Sequence, residues 1–457
     1  MPKYHLADIL KTGITNLPNW VNIPLLLLNP LREGTYGSAY RRFKAGIPTL
    51  NPDKMLIDMA NHAIKNVPFY RKRYQGLVIG SVEQFKREFD FISRADIDAN
   101  WEDFVVDNCD RSKTVFKTTS GTSGVPLRML IPANRYVTEM SFVNQIWRRC
   151  GWNFDVRATI RGAEMNAGQT YRVNPVTREF IFDSHRLCPQ YAADIHKIMH
   201  RHHIKTIYSY PSVACNFLKL CFNQGLDTSF IKYALLSSEA VTKDQFFFLT
   251  RKCGISIAFT YGHTEKLILA GNNHGTELKV EQAYGYTELI DNAGNDVTTP
   301  GGYGELVGST LYNYYFPLLR YRTDDYATLA RFERSPYGYD EMWLTSIDGR
   351  HAFNALLRAD GTTTTETAII LSDDFYTHIE GLQYIQTREG YVTVCVIPGN
   401  GYTTQDSKYL FNQTAHVMGG ADYVELKEVS DLQTMPNGKF LPVLNYLLNP
   451  ALSQRRS

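Results

Sequence analysis

At 457 residues the chain exceeds what one hydrophobic core usually sustains, so two or more domains are expected. Its 44% hydrophobic and 21% charged residues exclude an intrinsically disordered chain. With 48 basic and 46 acidic side chains the formal charge is +2, too even for a nucleic-acid footprint. Clusters such as Arg148-Arg149 and Arg201-His202-His203 are isolated and read as exposed helix ends or turns. The longest early apolar run, Ile23 to Leu28, stops at Asn29-Pro30, far short of a membrane span. No basic segment followed by a signal-like apolar stretch opens the chain, and a cytoplasmic location is expected. Seven cysteines without a Cys-x-x-Cys pair argue against a disulfide scaffold or a compact zinc site and fit buried thiols.

In chain order, residues 1 to about 100 are expected to be mostly helical, with helices over Asp53 to Ile64 and Val82 to Phe91. Pro68-Phe69-Tyr70-Arg71 predicts a helix entry, since proline is tolerated in a first turn. Thr114-Val115-Phe116 leads into a run of hydroxyls and glycines, Thr118-Thr119-Ser120-Gly121-Thr122-Ser123-Gly124. Glycines let backbone turn closely about an anion while N–H and hydroxyl groups donate to it, so the run reads as a phosphate cradle or as a surface turn. It is not the common nucleotide loop, because Val125 stands where that motif needs a lysine.

A helix is expected over Tyr136 to Arg149, strands over Thr206 to Tyr210, Tyr233 to Leu236 and Ile255 to Thr260, and a helix over Asp244 to Cys253. That alternation predicts an α/β domain with a largely parallel sheet, whose ligands bind beyond the carboxyl ends of the strands. Downstream, Gly301 to Val307 reads as a turn feeding a strand. Gly349-Arg350 is taken to open a smaller C-terminal unit with strands over Tyr391 to Ile397 and Val424 to Val429. The four threonines after Gly361 are read as a surface loop.

The loop is followed in order by Ser238-Glu239-Ala240, Tyr261-Gly262-His263-Thr264-Glu265, Tyr321-Arg322-Thr323-Asp324-Asp325, Gly349-Arg350 and Pro436-Asn437-Gly438-Lys439. From about residue 60 to the C-terminus this pattern resembles the adenylate-forming superfamily. It is most similar to the phenylacetate-CoA ligase-like branch, which includes proteins of capsular polysaccharide biosynthesis and coenzyme-modifying ligases. The resemblance implies a large N-terminal AMP-binding domain over 1-349, with mixed sheets and a β-rich subdomain. It further implies a small mobile α+β lid over 350-457.

By the same resemblance, Thr119, Ser120, Gly121, Thr122, Ser123 and Gly124 hold phosphate, and Ser238, Glu239 and Ala240 lie against adenine. Tyr261 and Gly262 also belong to the nucleotide site, Asp325 accepts from the ribose hydroxyls, and Arg350 meets phosphate or ribose oxygens. Thr264 contacts phosphate, Glu265 holds magnesium, and Lys439 bridges the attacking carboxylate and the α-phosphate. ATP and Mg2+ are implied, with coenzyme A as the acceptor, or alternatively an amine or hydroxyl of a sugar or other metabolite.

A homodimer is implied too. The chain departs from the pattern at Val125 and Leu127, at Asp324 where glycine is usual, and after Arg350, where an acidic hinge is missing. Those departures leave open a non-catalytic binding protein on the ligase fold. Read without the resemblance, Glu265 forms a surface pair with Lys266 or Arg251, Ser237 or Ser238 caps a helix, and Tyr208, Tyr210 and Phe259 belong to a sheet core.

Overall fold

The computed structural model describes residues 17–28, 32–118, 127–163, 165–166, 168–350, 355–361, 363–366, 369, 371–434 and 440–448. The chain divides into two compact units. One contains Pro30–Cys150 and Ala258–Asp348, the other Ile14–Asn29, Gly151–Ile257 and Gly349–Ser457.

In the first unit, the helix Pro52–Asn66 starts where Asn51 accepts from the Lys54 amide and proline occupies the first turn. Leu56, Met59, Ala60, Ala63 and Ile64 recur at helical spacing and are buried. The helix Pro68–Tyr74 follows, with Phe69 and Tyr70 inside. The Tyr70 hydroxyl donates to the Pro317 carbonyl at 3.1 Å and accepts from the Leu319 amide at 3.0 Å. This helix therefore anchors the approach to the strand Tyr321–Arg334.

That strand pairs antiparallel with Tyr303–Thr310, which pairs in turn with Gly285–Ile290. Further strands, Asp340–Arg350, Leu278–Val280, Leu269–Asn272 and Ser256–Gly262, continue the antiparallel array. Arg320 stands at the entry to the Tyr321 strand with φ 52°. Its guanidinium donates to the Lys86 and Phe89 carbonyls at 2.6 and 2.8 Å and pairs with Glu288 at 3.0 Å, both side chains being buried. Arg148 and Arg149, expected as exposed helix-end charges, instead pair with Glu33 and Glu281. Folding brings those acids in from distant positions, which local charge patterning does not register.

In the second unit, Glu179–Asp183, Arg157–Arg161, Thr206–Ser209 and Tyr233–Ser237 form consecutive parallel strands. The antiparallel edge strand Arg172–Asn174 is covered by the helix Asn19–Leu28. Asn19 and Asn22 donate to the Tyr171 and Val173 carbonyls, and Asn19 accepts from the Val173 amide. These bonds use edge groups that would otherwise remain unpaired. The parallel expectation holds for these strands, whereas the strands from Ser256 onward are antiparallel.

The helix expected over Asp244 to Cys253 is α-helical only over Lys243–Phe247 and continues as a π-turn over Phe248–Lys252. There the Cys253 amide reaches the Phe248 carbonyl, one residue further than α-helical bonding.

The C-terminal α+β region has a sheet ordered Val424–Glu428, Tyr391–Pro398, Ile379–Arg388 and Val443–Asn445, with the helix Thr404–Met418. Its core holds Val392, Val394, Val396, Leu410, Met418 and Val443. The threonines read as a loop form a strand, Thr363–Thr365, paired with Ala355–Leu357. β-Branched residues suit such a ladder once a partner is present. All seven cysteines are free, as expected, though Cys188 is exposed. Burial pushes the Cys221 and Cys253 thiols up to about 12, so both stay protonated. Among the described residues no helix is long and apolar enough to cross a membrane.

Replacing Arg320 by methionine leaves Glu288 buried beside only the more distant Lys86, at 4.0 Å. The expected loss is ~3 kcal/mol of unfolding free energy, read as a lower guanidinium midpoint, with much of it recovered in Arg320→Met/Glu288→Met.

Candidate functional site

The strand Ser256–Gly262 ends by delivering Tyr261 and Gly262 to its carboxyl edge, and His263-Thr264-Glu265 follow directly. Register pairs Tyr261 with Ala270 and Gly262 with Leu269, so the orientation of this end is set by the neighbouring strand. The Tyr261 hydroxyl donates to Asp325 Oδ2 at 2.5 Å. Asp325 is itself held where the strand pairing shifts register: its amide donates to Thr323 Oγ1 at 3.1 Å, and that hydroxyl donates to the Leu306 carbonyl at 2.6 Å. Burial first, then the Asp325 carboxylate and Glu265, push the Tyr261 phenol well above its usual range. It is therefore a fixed donor at neutral pH.

Asp324 adopts φ 61°, the left-handed conformation that explains why glycine is usual at this position in the family resembled. Aspartate tolerates it, its amide donating to Glu305 Oε1 at 3.0 Å while its side chain is exposed. Its extra charge therefore faces solvent. Glu305 is also paired with Arg322 at 2.6 Å.

His263 Nδ1 and Glu265 Oε2 lie 2.9 Å apart, with Glu265 largely covered. The surface pairing of Glu265 with Lys266 does not occur, since Lys266 pairs with Glu139 at 2.6 Å. His263 Nε2 is buried with no hydrogen-bond partner. Thr264 is half-buried between these two residues. Among the described residues no three ligating side chains gather into a metal cluster. A single shielded carboxylate nevertheless fits magnesium, which keeps most of its shell as phosphate oxygens and water.

In the second unit, Ser238-Glu239-Ala240 follows the strand Tyr233–Ser237. Neither Ser237 nor Ser238 caps the next helix. Thr242 stands at the N-cap, its amide donating to Gln245 Oε1 at 3.2 Å. Ser238 has φ 70°, and both serine hydroxyls accept from Arg161 Nη2, at 3.2 and 2.8 Å. The Glu239 carboxylate accepts from the Ser212 amide at 3.2 Å and from the Phe440 amide at 2.8 Å. It thus ties the start of the helix Pro211–Asn223 to the residue that follows Lys439.

Phe259 is buried sheet core, as its simpler reading held, whereas Tyr208 and Tyr210 are half-buried and face the Arg161 guanidinium. Arg161 was missed by sequence reasoning: a single arginine ending a strand carries no motif or period.

The candidates Thr119, Ser120, Gly121, Thr122, Ser123 and Gly124, together with Lys439, lie outside the described residues. The bounding strands are described, Thr114–Thr118 and Arg128–Pro132 forming an antiparallel hairpin with Thr118 opposite Arg128. Arg350 closes the strand Asp340–Arg350, and its side chain is outside the described set.

No family model matches the chain, and no curated protein matches it. Solved structures do. A 2-hydroxyisobutyryl-CoA ligase in the postadenylation state with 2-HIB-AMP superposes with a TM-score of 0.65 at 15% identity, over 88% of this chain and 91% of that one. The same ligase with 2-HIB-AMP and CoA in the thioesterification state gives 0.54 at 17% identity, over 91% and 93%. The chain therefore has the adenylate-forming ligase fold.

Two outcomes test the local geometry. Asp325→Asn removes a negative charge from beside the phenol, so the Tyr261 pKa should fall toward the ordinary value of about 10. Ultraviolet difference titration against Tyr261→Phe reads it, and an unchanged or higher value would contradict the pairing. Glu239→Ala should speed amide exchange at Phe440 by about tenfold, the worth of one hydrogen bond to a charged acceptor.

Proposed function

We propose that this protein is an AMP-forming carboxylate ligase. It activates a carboxylic acid with ATP and transfers the acyl group to an acceptor, coenzyme A being the first candidate. The observation that carries the reading is the Tyr261 hydroxyl bonded to Asp325, with Glu265 four residues on, in a chain of adenylate-forming ligase fold. On this reading the Asp325 carboxylate accepts from the vicinal ribose hydroxyls, for which its two oxygens are suited. Tyr261 holds that carboxylate in place and presents its ring to the adenine. Ser238, Glu239 and Ala240 contribute backbone to the base, with the Glu239 side chain committed to protein amides.

Adenylation joins a substrate carboxylate oxygen to the α-phosphorus and breaks the bond to pyrophosphate. In the second step the acceptor's sulfur, nitrogen or oxygen attacks the acyl carbon, AMP leaves, and the acceptor proton passes to solvent. Lys439 supplies positive charge as negative charge builds on the phosphorus, and the loop Thr119 to Gly124 and Thr264 donate to the phosphate oxygens. Glu265 would hold magnesium, whose contribution is to neutralise phosphate charge. Arg350 reaches phosphate or ribose oxygens through its donor fork. The lid over 350–457 exchanges faces between the two steps, a gating role. A homodimer in the cytoplasm completes the proposal.

Carboxylate-dependent ATP–pyrophosphate exchange, without coenzyme A, tests it across aryl, fatty, hydroxy and amino acids. Exchange with one acid identifies the donor. Adding coenzyme A, sugar amines or hydroxyl acceptors then identifies the acceptor. Lys439→Ala should lower exchange by about a thousandfold while ATP with magnesium still raises its melting temperature. Turnover equal to that of the parent protein would overturn the assignment.

A further inference from the structure

Arg161 is the last residue of the strand Arg157–Arg161, next to Thr206–Ser209, which is next to Tyr233–Ser237. The three strands are parallel and their carboxyl ends coincide, Ile160 lying opposite Ser209 and Ser209 opposite Leu236. In α/β sheets this edge is where ligands bind. The guanidinium stands 4.7 Å from the Tyr208 ring centre and 4.5 Å from that of Tyr210. Nη1 donates to the Tyr208 hydroxyl at 2.7 Å, and Nη2 donates to Ser237 and Ser238. Two aromatic faces and three hydroxyls hold the group in a single orientation.

Every one of those partners is neutral. Nε is buried with no hydrogen-bond partner, and among the described residues Arg161 forms no ion pair. The contrast with Arg157 on the same strand is direct, because Arg157 is paired with Glu179 at 3.2 Å. Among the described residues, the acid opposite it in register and the acid beside its serine partners are committed elsewhere. Asp183, opposite Arg161 on the adjacent strand, accepts from the Ala163 and His185 amides at 3.3 and 3.1 Å. Glu239, one residue past Ser238, accepts from Ser212 and Phe440. Partial burial of a cation without a counter-charge is costly, and the cost is recovered when an anion binds.

We infer that Arg161 is a specificity-determining residue that binds a second anionic group of the acid substrate, a carboxylate or phosphate distinct from the carboxylate that is activated. This deepens the proposed function and rests on it for the reaction, though not for the binding. The two tyrosine rings leave the rest of the acid an aromatic-walled approach, and the two anion sources share one chemistry, charge-assisted hydrogen bonding to guanidinium.

The test uses the whole protein and three probes: glutarate, its monomethyl ester and 4-phosphonobutyrate. Isothermal titration and thermal shift read binding, and pyrophosphate exchange reads turnover. The parent protein should bind at least one dianion about 100-fold more tightly than the ester. Carboxylate and phosphonate probes show which anion is preferred. Arg161→Gln should erase the preference while changing the KM for ATP less than about twofold, and Arg161→Lys should restore part of it.

Dianion binding that depends on Arg161, with no exchange for any acid, would refute the ligase reading and keep the inference. A parent protein that favours the ester, or binds none of the probes, would overturn the inference. So would an Arg161→Gln variant that remains folded by circular dichroism and retains the preference for dianions.

Discussion

Arg320 is the constraint on which the first unit of this protein depends. Its guanidinium satisfies two carbonyls of the segment Lys86–Phe89 and the buried carboxylate of Glu288, and its own backbone is held in a left-handed conformation. The strand that begins at the next residue therefore starts from one defined point. Four residues later Asp325 meets Tyr261, a pairing that needs both strands in correct register, because a one-residue slip would turn either side chain to the opposite face. A charge buried for structural reasons thus fixes where a second carboxylate meets its partner.

The other unit uses the opposite device. Its parallel strands end together, and the side chain at the end of one is an arginine whose partners among the described residues are tyrosine and serine. Ser238 takes a positive φ there, a strained position of the kind that gathers around binding sites. Glu239, which could have neutralised the arginine, is instead bonded to two backbone amides far apart in sequence. The arrangement keeps one cation available while satisfying the neighbouring carboxylate. It also links the turn after Tyr233–Ser237 to the Phe440 amide, 201 residues further along the chain.

Much of this was legible from residue order. The helix Pro52–Asn66 follows from an asparagine cap, a proline and apolar spacing, and the parallel strands Thr206–Ser209 and Tyr233–Ser237 show as short apolar runs, whereas Arg157–Arg161 and Glu179–Asp183 carried no such signal. Where reading failed, the cause was non-local. The threonines after Gly361 lacked an apolar alternation and became a strand only through pairing with Ala355–Leu357. The acids that pair with Arg148 and Arg149 lie 115 and 132 residues away. Thr242 rather than Ser238 stands at the helix start because the helix begins only at Lys243, and the serine hydroxyls are taken by Arg161.

By itself the sequence determined most element types, the α/β class and the order of motifs that resembles an adenylate-forming ligase, because those depend on neighbours within a few residues. Only the tertiary structure decided which charges are neutralised and which are not. Glu265 meets His263 rather than Lys266, Asp324 faces solvent, and Arg161 ends a strand without an ion pair among the described residues. Charge partnership is a property of distance in space, and chain folding sets that distance through strand register and helix packing far from the residues concerned.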